Sequence, residues 1–321
     1  PVEAVGALTD PAMMEELLAS GQCDVLQLAR QTLADPDLPV KAREGRDDEV
    51  TECLRCFNCF HNSSLNGVFY CAVNPVIGHE TERKTDNTVR RQEKVLVVGG
   101  GVGGMQAALT ASECGHEVIL CEKTDELGGT LRCERHVPFK QKLDRYLDTQ
   151  ARKVQRDPHI EVRMNTEVTP ELAREIAPDA IIAATGARPA IPPVPGIDGK
   201  NVMGAEEVYH HPEQTGDKVV IMGGGLVGVE LGIWLAHSGK DVTVVEMAPQ
   251  AAGRPADEVA DGSAGSRINS FLEFKGDNLV HGVALGVEMS HLPNMRIFVK
   301  TRALEVKENG LMVEGPEGTR L

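Results

Sequence analysis

Two continuous apolar runs, at 95–98 and 219–222, dominate the hydrophobic pattern of the chain. Continuous runs of this kind are typical of parallel strands buried on both faces, because a strand with one solvated face alternates instead. Each run ends in glycines, and the stretches 103–113 and 227–237 that follow suit crossover helices. The pattern therefore predicts two strand–turn–helix units, the beginning of an α/β fold with parallel sheets.

The two units belong to an internal repeat, which becomes visible when the chain is shifted by 124 positions. Residues 94–104 then coincide with 218–228, and residues 115–122 coincide with 239–246. Each copy predicts a strand, a glycine turn, a helix and a second strand that ends in an acid. A repeat of this length implies two similar Rossmann-like domains.

Between the copies the pattern predicts a charged helix, an alternating strand, and an apolar strand that runs into a turn, at 137–156, 160–168 and 181–186. The proline-rich stretch 189–196 is typical of a linker. After the second copy, 295–321 predicts strands, with Asn309-Gly310 as a two-residue hairpin turn. The region 251–292 is poorly patterned, and no element is predicted there.

The start of the chain predicts one βαβ unit. Val2–Leu8 and Asp24–Ala29 are short apolar strands that flank a helix at about 11–20. Asp10 is placed to cap that helix and Gly21 to end it. The unit is too small to stand alone.

The 321 residues allow about two domains, or two with a fragment. The net charge of −15 has the wrong sign for phosphate backbones and anionic headgroups, which argues against nucleic-acid or membrane partners. No apolar run approaches the roughly 18–20 residues that span a bilayer, and no leader opens the sequence, so a cytoplasmic protein is predicted. The sequence starts at Pro1 without an initiator methionine, which favours a fragment of a longer chain.

Both copies carry the spacing G-x-G-x-x-G, with an acid 21 residues after the middle glycine, Glu122 in the first copy and Glu246 in the second. The glycines are Gly99, Gly101 and Gly104 in the first copy and Gly223, Gly225 and Gly228 in the second. Glycines here permit a tight turn, the helix N-terminus faces a pyrophosphate, and the acid binds ribose hydroxyls. Two dinucleotide sites are predicted.

The order of the copies predicts which nucleotide each one binds. In flavoproteins with two dinucleotide folds, the first holds FAD and the inserted second holds the nicotinamide. Glu246 is followed by 247–249, which lacks an arginine for a 2′-phosphate, so NADH is favoured over NADPH. Glu230 either faces the nicotinamide or solvates its helix, and the sequence favours neither.

Four of the eight cysteines follow the spacing C-x2-C-x2-C-x11-C, and they are Cys53, Cys56, Cys59 and Cys71. Three thiolates at this spacing wrap one loop around a cuboidal centre and a fourth arrives from a distant turn, which favours a [4Fe–4S] cluster. Zinc is the alternative, although structural zinc sites usually use two separated C-x2-C pairs. The other cysteines are interpreted as small core residues, and none forms the pair that a dithiol–disulfide reductase requires.

These motifs, with Val73-Asn74-Pro75 and Leu127-Gly128-Gly129, resemble the iron–sulfur flavoenzymes of the Old Yellow Enzyme group over nearly the whole chain. Members include 2,4-dienoyl-CoA reductase, 2-enoate reductase, the bile-acid NADH:flavin oxidoreductases and trimethylamine dehydrogenase. The resemblance implies four segments: the end of a (β/α)8 barrel on the FMN side, the iron–sulfur segment, an FAD domain and an NAD(P) domain, at 1–50, 51–90, 91–215 and 216–321.

The resemblance also assigns residues to the two flavins. Gly6, Ala29 and Arg30 would lie at the ends of barrel strands 7 and 8, where barrels bind phosphate, with Arg30 on the FMN phosphate. A surface charge after a strand is the alternative for Arg30. The FAD site would be lined by Gly103, Glu122, Thr130 and Val168. Relative to the family, the sequence lacks most of the barrel, including the acid that protonates the substrate. It also lacks the segment that returns to the FAD domain.

The implied activity is electron transfer from NAD(P)H through FAD, the cluster and FMN to a small substrate with an electron-poor C=C bond. A one-electron carrier between two flavins is consistent with that order, because a hydride delivers two electrons at once and a cluster accepts one. Two alternatives remain open from the sequence: an amine dehydrogenase, in which electrons run outward from FMN, and a non-catalytic electron-transfer module.

Overall fold

The chain folds as two units, residues 1–187 and 188–321. The computed structural model describes residues 1–82, 91–251, 254–255 and 279–321. The division falls at the start of the proline-rich stretch, as expected for a linker. The finer division into four segments stays a prediction.

The first unit begins with the predicted βαβ arrangement. Strand β1 (Glu3–Val5) pairs in parallel with β2 (Val25–Gln27), and α1 (Pro11–Ala19) connects them. The Asp10 carboxylate accepts the N–H of Ala12 and caps α1, whose first residue is a proline. This part of the prediction is confirmed, and the complete barrel to which it would belong stays a prediction.

Three short helices follow β2, two before the cysteine segment and one within it. They are α2 (Arg30–Ala34), α3 (Leu38–Arg43) and α4 (Asn58–Asn66), with a 3-10 turn at Asp47–Glu49. A small cluster of buried apolar side chains joins this region to α1: Leu8, Met14, Leu38 and Val50. The cysteine segment therefore starts from a packed support.

The first copy of the repeat forms a four-stranded parallel sheet in the order β5-β4-β3-β6. Its strands are β3 (Lys94–Val98), β4 (Glu117–Cys121), β5 (Ile160–Arg163) and β6 (Ala180–Ala183). Its helices are α5 (Val102–Glu113), α6 (Gln141–Arg156) and α7 (Pro170–Ile176), with 3-10 turns at Gly129–Glu134 and Pro138–Lys140. The chain leaves β3 on one side and returns on its other side at β6, which makes the carboxyl end of β3 a topological switch point.

The core of the first unit lies between this sheet and the helices α5 and α6. Val97, Met105, Leu120 and Leu147 have no exposed surface. Burying a side chain of this size contributes about 1.5–3 kcal/mol, so the packed face holds the glycine turn after β3 in a fixed place.

The second copy forms a three-stranded parallel sheet in the order β11-β8-β7. It contains α8 (Ala205–His210), a 3-10 turn (Pro212–Gln214), β7 (Lys218–Met222), α9 (Leu226–His237), β8 (Asp241–Val245), α10 (Leu279–Ser290) and β11 (Met295–Phe298). A short antiparallel pair lies between β8 and α10, β9 (Gln250–Ala251) with β10 (Arg254–Pro255). An antiparallel meander ends the unit: β12 (Arg302–Lys307), β13 (Gly310–Gly315) and β14 (Gly318–Arg320).

Three details of the sequence prediction are wrong. The strand predicted over 160–168 ends at Arg163, because Asn165 adopts a left-handed backbone that cannot continue a strand. The hairpin turn between β12 and β13 is Glu308-Asn309, since Gly310 already pairs with Lys307.

The third detail concerns burial of the apolar runs. Residues 95–97 are buried as predicted, whereas β7 lies at the edge of its sheet within the described residues. Val220 on β7 is 47% exposed, so the prediction of burial on both faces fails for the run 219–222. An apolar run therefore indicated a parallel strand correctly in both copies, but it did not indicate the strand's position in the sheet.

Candidate functional site

The four spaced cysteines line one cavity in the first unit, as their spacing predicted. The remaining lining residues are Arg30, Leu33, Leu54, Phe57, Ala72 and Val73. Arg55 and Phe57 both adopt left-handed backbone conformations, which turn the loop between the first three cysteines around the cavity. A loop wrapped in this way presents its sulfur atoms inward.

Burial raises the pKa of the Cys59 thiol and that of the Cys71 thiol. Cys53 and Cys56 raise both values further, because negative charges on neighbouring thiolates repel one another. Arg30 acts in the opposite direction on Cys59. The four cysteines could therefore all ionise in one cavity only beside a bound positive centre, and such a donor set would suit iron or zinc.

The side chain of Gln31 fixes the first cysteine in place. Its amide oxygen accepts the N–H of Cys53 at 2.8 Å, and its amide nitrogen donates to the carbonyl oxygen of Thr51 at 3.0 Å. Gln31 is only 3% exposed, and its hydrogen bond to Thr51 is buried while that from Cys53 is partly buried. Helix α2 thereby sets the position of the chain on both sides of residue 52.

Two further contacts attach the cysteine-bearing segments to the same support. The Asp35 carboxylate accepts the N–H of Thr51 at 2.8 Å and is paired with Lys41 at 2.7 Å. Asn74, which follows the fourth cysteine, donates to the carbonyl oxygen of Leu33 at 2.8 Å. The sequence analysis missed Gln31 and Asp35, and no motif singles out either residue.

The other cysteines lie outside this cavity. Cys23, Cys121 and Cys133 are buried, as expected for core residues, and Cys114 is partly exposed. Within the described ranges, no group of three or more His, Cys, Asp or Glu side chains stands at the geometry of a preformed metal site. The four thiols share a cavity and a support, and their ligation of a metal centre stays a prediction.

The first glycine fingerprint lies at the carboxyl end of β3. A Cβ atom at Gly104 would lie 1.8 Å from the carbonyl oxygen of Gly99, so α5 can approach the turn only with glycine there. Gly99 has φ of +105°, and a Cβ on it would lie 2.4 Å from the carbonyl oxygen of Ala184. The backbone at Ala184, directly after β6, therefore packs against the turn. Gly101 precedes the first residue of α5, where backbone N–H groups can bind a pyrophosphate.

The Glu122 carboxylate closes this site at the end of β4. It accepts the N–H of Gly100 at 2.7 Å, and its other oxygen accepts the N–H and the hydroxyl of Thr124, each at 2.9 Å. Burial alone would raise the pKa of Glu122, but the hydrogen bonds from Thr124 and Gly100 outweigh it and hold the pKa below its ordinary value. Glu122 is therefore an ionised acceptor beside the fingerprint.

The second copy repeats this geometry within its own unit. Glu246 accepts the N–H of Gly224 at 2.7 Å and that of Ala248 at 2.7 Å. A Cβ atom at Gly228 would lie 1.9 Å from the carbonyl oxygen of Gly223. The repeat seen in the sequence is thus a repeat of hydrogen bonds and close backbone approaches.

The remaining predicted site residues occupy varied positions. Gly103 lies on the exposed side of the first turn of α5, where a Cβ atom would meet open space, and Gly225 precedes α9 as Gly101 precedes α5. Thr130 is exposed in the turn after Gly128, which pairs with Gly101.

Val168 is partly buried and packs against an apolar cluster, because the chain after β5 folds back over the sheet. Gly6 and Ala29 are exposed where β1 and β2 end, and Gly6 has a left-handed backbone. Glu230 is 5% exposed within α9, so the alternative that it solvates the helix is wrong. Its place beside a nicotinamide stays a prediction.

The geometry defines a protein with two dinucleotide-binding folds, and comparison with known proteins identifies its family. The profile of the pyridine nucleotide-disulphide oxidoreductases matches residues 93–270, which include both fingerprints. The chain belongs to that family, and membership indicates FAD and NAD(P)H as cofactors.

Three known proteins are similar over most of this chain. An NADH oxidase of Thermoanaerobacter brockii is 37% identical over 261 residues, which cover 77% of this chain and 39% of that protein. A cinnamate reductase of Clostridium sporogenes is 37% identical over 248 residues, with 77% of this chain and 37% of that protein covered. A solved complex of 2-naphthoyl-CoA reductase with 2-naphthoyl-CoA superposes with a TM-score of 0.84 and 28% identity, over 99% of this chain and 45% of that one.

These relatives confirm the resemblance to the enoate reductase and Old Yellow Enzyme-type family. The chain spans about two fifths of the length of the curated relatives it matches. Within the described part of the chain, no helix has the length and apolar character needed to cross a bilayer.

Proposed function

We propose that this chain is the electron-input part of an NAD(P)H-dependent flavin and iron–sulfur oxidoreductase. Electrons would pass from NAD(P)H through FAD, a [4Fe–4S] cluster and FMN to an activated C=C bond of the enoate or dienoyl type. The cavity lined by all four spaced cysteines carries the proposal, because it lies in the same unit as the FAD-type fold.

The dinucleotide sites supply the input side of the proposed enzyme. Bound FAD would take a hydride from NAD(P)H and release its electrons singly. Glu122 and the amides at the start of α5 would hold the FAD ribose and pyrophosphate, and Glu246 with the start of α9 would hold the nicotinamide cofactor. The carboxylate of Glu246 disfavours the additional phosphate of NADPH, so NADH is the proposed donor.

The cysteine cavity supplies the one-electron carrier. The four spaced thiolates would ligate the cluster, and Gln31, Asp35 and Asn74 would hold the loops that carry them. Leu33, Leu54 and Val73 give the cavity an apolar lining beside the four cysteines. The loop length, the donor set and this lining fit a cluster.

The output side is argued from the ends of β1 and β2. Gly6, Ala29 and Arg30 lie there, and we propose that Gly6 and Ala29 contribute to an FMN phosphate site in the longer protein. The substrate is proposed to be a small molecule with an electron-poor C=C bond, as the names of the cinnamate and 2-naphthoyl-CoA reductases suggest. A cytoplasmic location is proposed with it.

The test is an anaerobic preparation of the chain, with analysis of FAD, iron and sulfide. NADH should bleach the FAD absorbance rapidly, and the reduced cluster should give an electron paramagnetic resonance signal. Cys56→Ala should remove the iron and that signal while NADH still bleaches FAD. Cys114→Ala, which changes a thiol outside the cavity, should retain both.

Two outcomes would contradict the proposal. A wild-type preparation that holds stoichiometric zinc and no sulfide would exclude the cluster. FAD that NADH does not bleach would exclude a reductase and would favour the amine dehydrogenase, in which electrons leave from FMN.

A further inference from the structure

Arg30 is built into the wall of the cysteine cavity. Its guanidinium carbon lies 4.2 Å from the centre of the Phe57 ring, and both residues line the cavity with the four cysteines. Phe57 belongs to the loop between Cys56 and Cys59, so the stacking joins the start of α2 to that loop. A guanidinium stacked on an aromatic ring is held in one orientation.

One nitrogen of this guanidinium, Nη1, is buried and donates to no acceptor among the described residues. A charged donor that is buried without an acceptor costs free energy. An arginine is therefore normally found in such a place when an anionic group accepts its hydrogen bond. Two carboxylates that flank the cysteine segment are paired with other cations, Asp35 with Lys41 and Glu52 with Lys142. We therefore expect the anionic acceptor for Nη1 inside the cavity.

We infer that the Arg30 guanidinium is the counter-charge of the four-cysteine centre, and that it raises the reduction potential of the cluster held there. The inference rests on the proposed function, and it adds a residue that acts on the cluster without ligating it. Reduction adds a negative charge to a centre that four thiolates already make anionic. A fixed positive charge in the same low-dielectric cavity stabilises the reduced form more than the oxidised form.

This role differs from a role on the FMN phosphate. A phosphate contact would make Arg30 necessary for FMN binding and would leave the cluster potential unchanged. The two roles therefore predict different measurements on the same variant.

The experiment compares Arg30→Met with Arg30→Lys in the reconstituted 321-residue chain. Methionine keeps an unbranched apolar side chain without the charge, and lysine keeps the charge without the planar fork. The control is Arg55→Met, because Arg55 lies in the same loop but is exposed, with its guanidinium on the carbonyl oxygen of Ala7. Iron and sulfide are counted first, and a redox titration monitored by electron paramagnetic resonance then gives the midpoint potential.

Arg30→Met should keep iron and sulfide but lower the ratio of reduced to oxidised cluster at a fixed potential by about tenfold, or about 59 mV. Arg30→Lys should recover most of that ratio, and Arg55→Met should leave it within about twofold of wild type because an exposed charge is screened. An unchanged ratio in Arg30→Met with intact iron would overturn the inference and leave the proposed function standing. A wild-type chain without iron and sulfide would overturn both.

Discussion

The amide oxygen of Gln31 accepts the N–H of Cys53 at 2.8 Å, which places a buried residue of α2 in direct contact with the first proposed cluster ligand. The same side chain donates to Thr51. A residue outside the cysteine motif therefore determines where that motif begins.

Gln31→Ala should impair cluster incorporation. The change leaves the Cys53 N–H and the Thr51 carbonyl unpaired in a buried place, at a cost of about 1–3 kcal/mol for each group. We expect a lower iron content per chain after anaerobic reconstitution, together with a lower melting temperature. Gln22→Ala is the matched control, because Gln22 is exposed and its side-chain amide donates to the exposed hydroxyl of Ser20. Equal iron content in both variants would contradict this role.

Gly104→Ala and Gly228→Ala should separate the two dinucleotide sites. An added methyl group would meet the carbonyl oxygen of Gly99 or Gly223, and the helix must then move away from its turn. We expect Gly104→Ala to weaken FAD binding by about tenfold or more, and Gly228→Ala to weaken NADH binding while FAD is retained. Fluorescence titration measures both. Gly204→Ala, at a position with open space, should change neither affinity.

Met247→Arg should improve the use of NADPH. Met247 follows the acid of the second copy and is 73% exposed, so an arginine there can reach a 2′-phosphate without disturbing the core. We expect the rate of FAD reduction by NADPH to rise by about tenfold relative to wild type. Met247→Gln has similar length without the charge and should not raise it. The rates are measured by stopped-flow absorbance, and wild-type enzyme that already prefers NADPH would show the assignment to be wrong.

Glu122→Gln should lower stability at neutral pH and change its dependence on acid. The folded-state pKa of Glu122 lies below its ordinary value, so its hydrogen bonds stabilise the fold above the unfolded pKa of about 4.3. That stabilisation is lost as the pH falls through the lower folded pKa. We expect a loss of about 2 kcal/mol at pH 7 that narrows in acid.

Thermal unfolding of the chain without added cofactor, measured from about pH 7 to pH 3, follows this change. Glu117→Gln is the control, because Glu117 begins the strand that Glu122 follows but is 54% exposed in its side chain. A destabilisation that is constant across this range would show that the ionised carboxylate is not responsible.

Much of the fold could be predicted because both copies of the repeat carry the same glycine spacing and the same following acid. This pattern requires a particular backbone, and the structure has that backbone in both copies. In each copy a glycine N–H donates to the acid, Gly100 to Glu122 and Gly224 to Glu246. The spacing of the four cysteines likewise predicted that they line one cavity.

Other features depend on contacts between distant residues, which periodicity does not record. The end of the strand at Arg163 is set by the backbone of Asn165, and the exposure of Val220 is set by the edge position of its strand. Gln31 looks like any polar residue in a short helix until the fold brings it beside Cys53. The sequence therefore indicated the candidate cluster ligands, but it did not indicate the residues that hold their segments in place.

Helix α2 holds both cysteine-bearing segments, through Gln31 on one and through the carbonyl oxygen of Leu33 on the other. Exchange of modules between such proteins, in evolution or by design, thus has a preferred crossover point. A cut between residue 35 and residue 51 would transfer the four cysteines to a new protein without Gln31 and Leu33, which hold their segments in place. A cut ahead of residue 30 would transfer the four cysteines together with helix α2, which supports their segments.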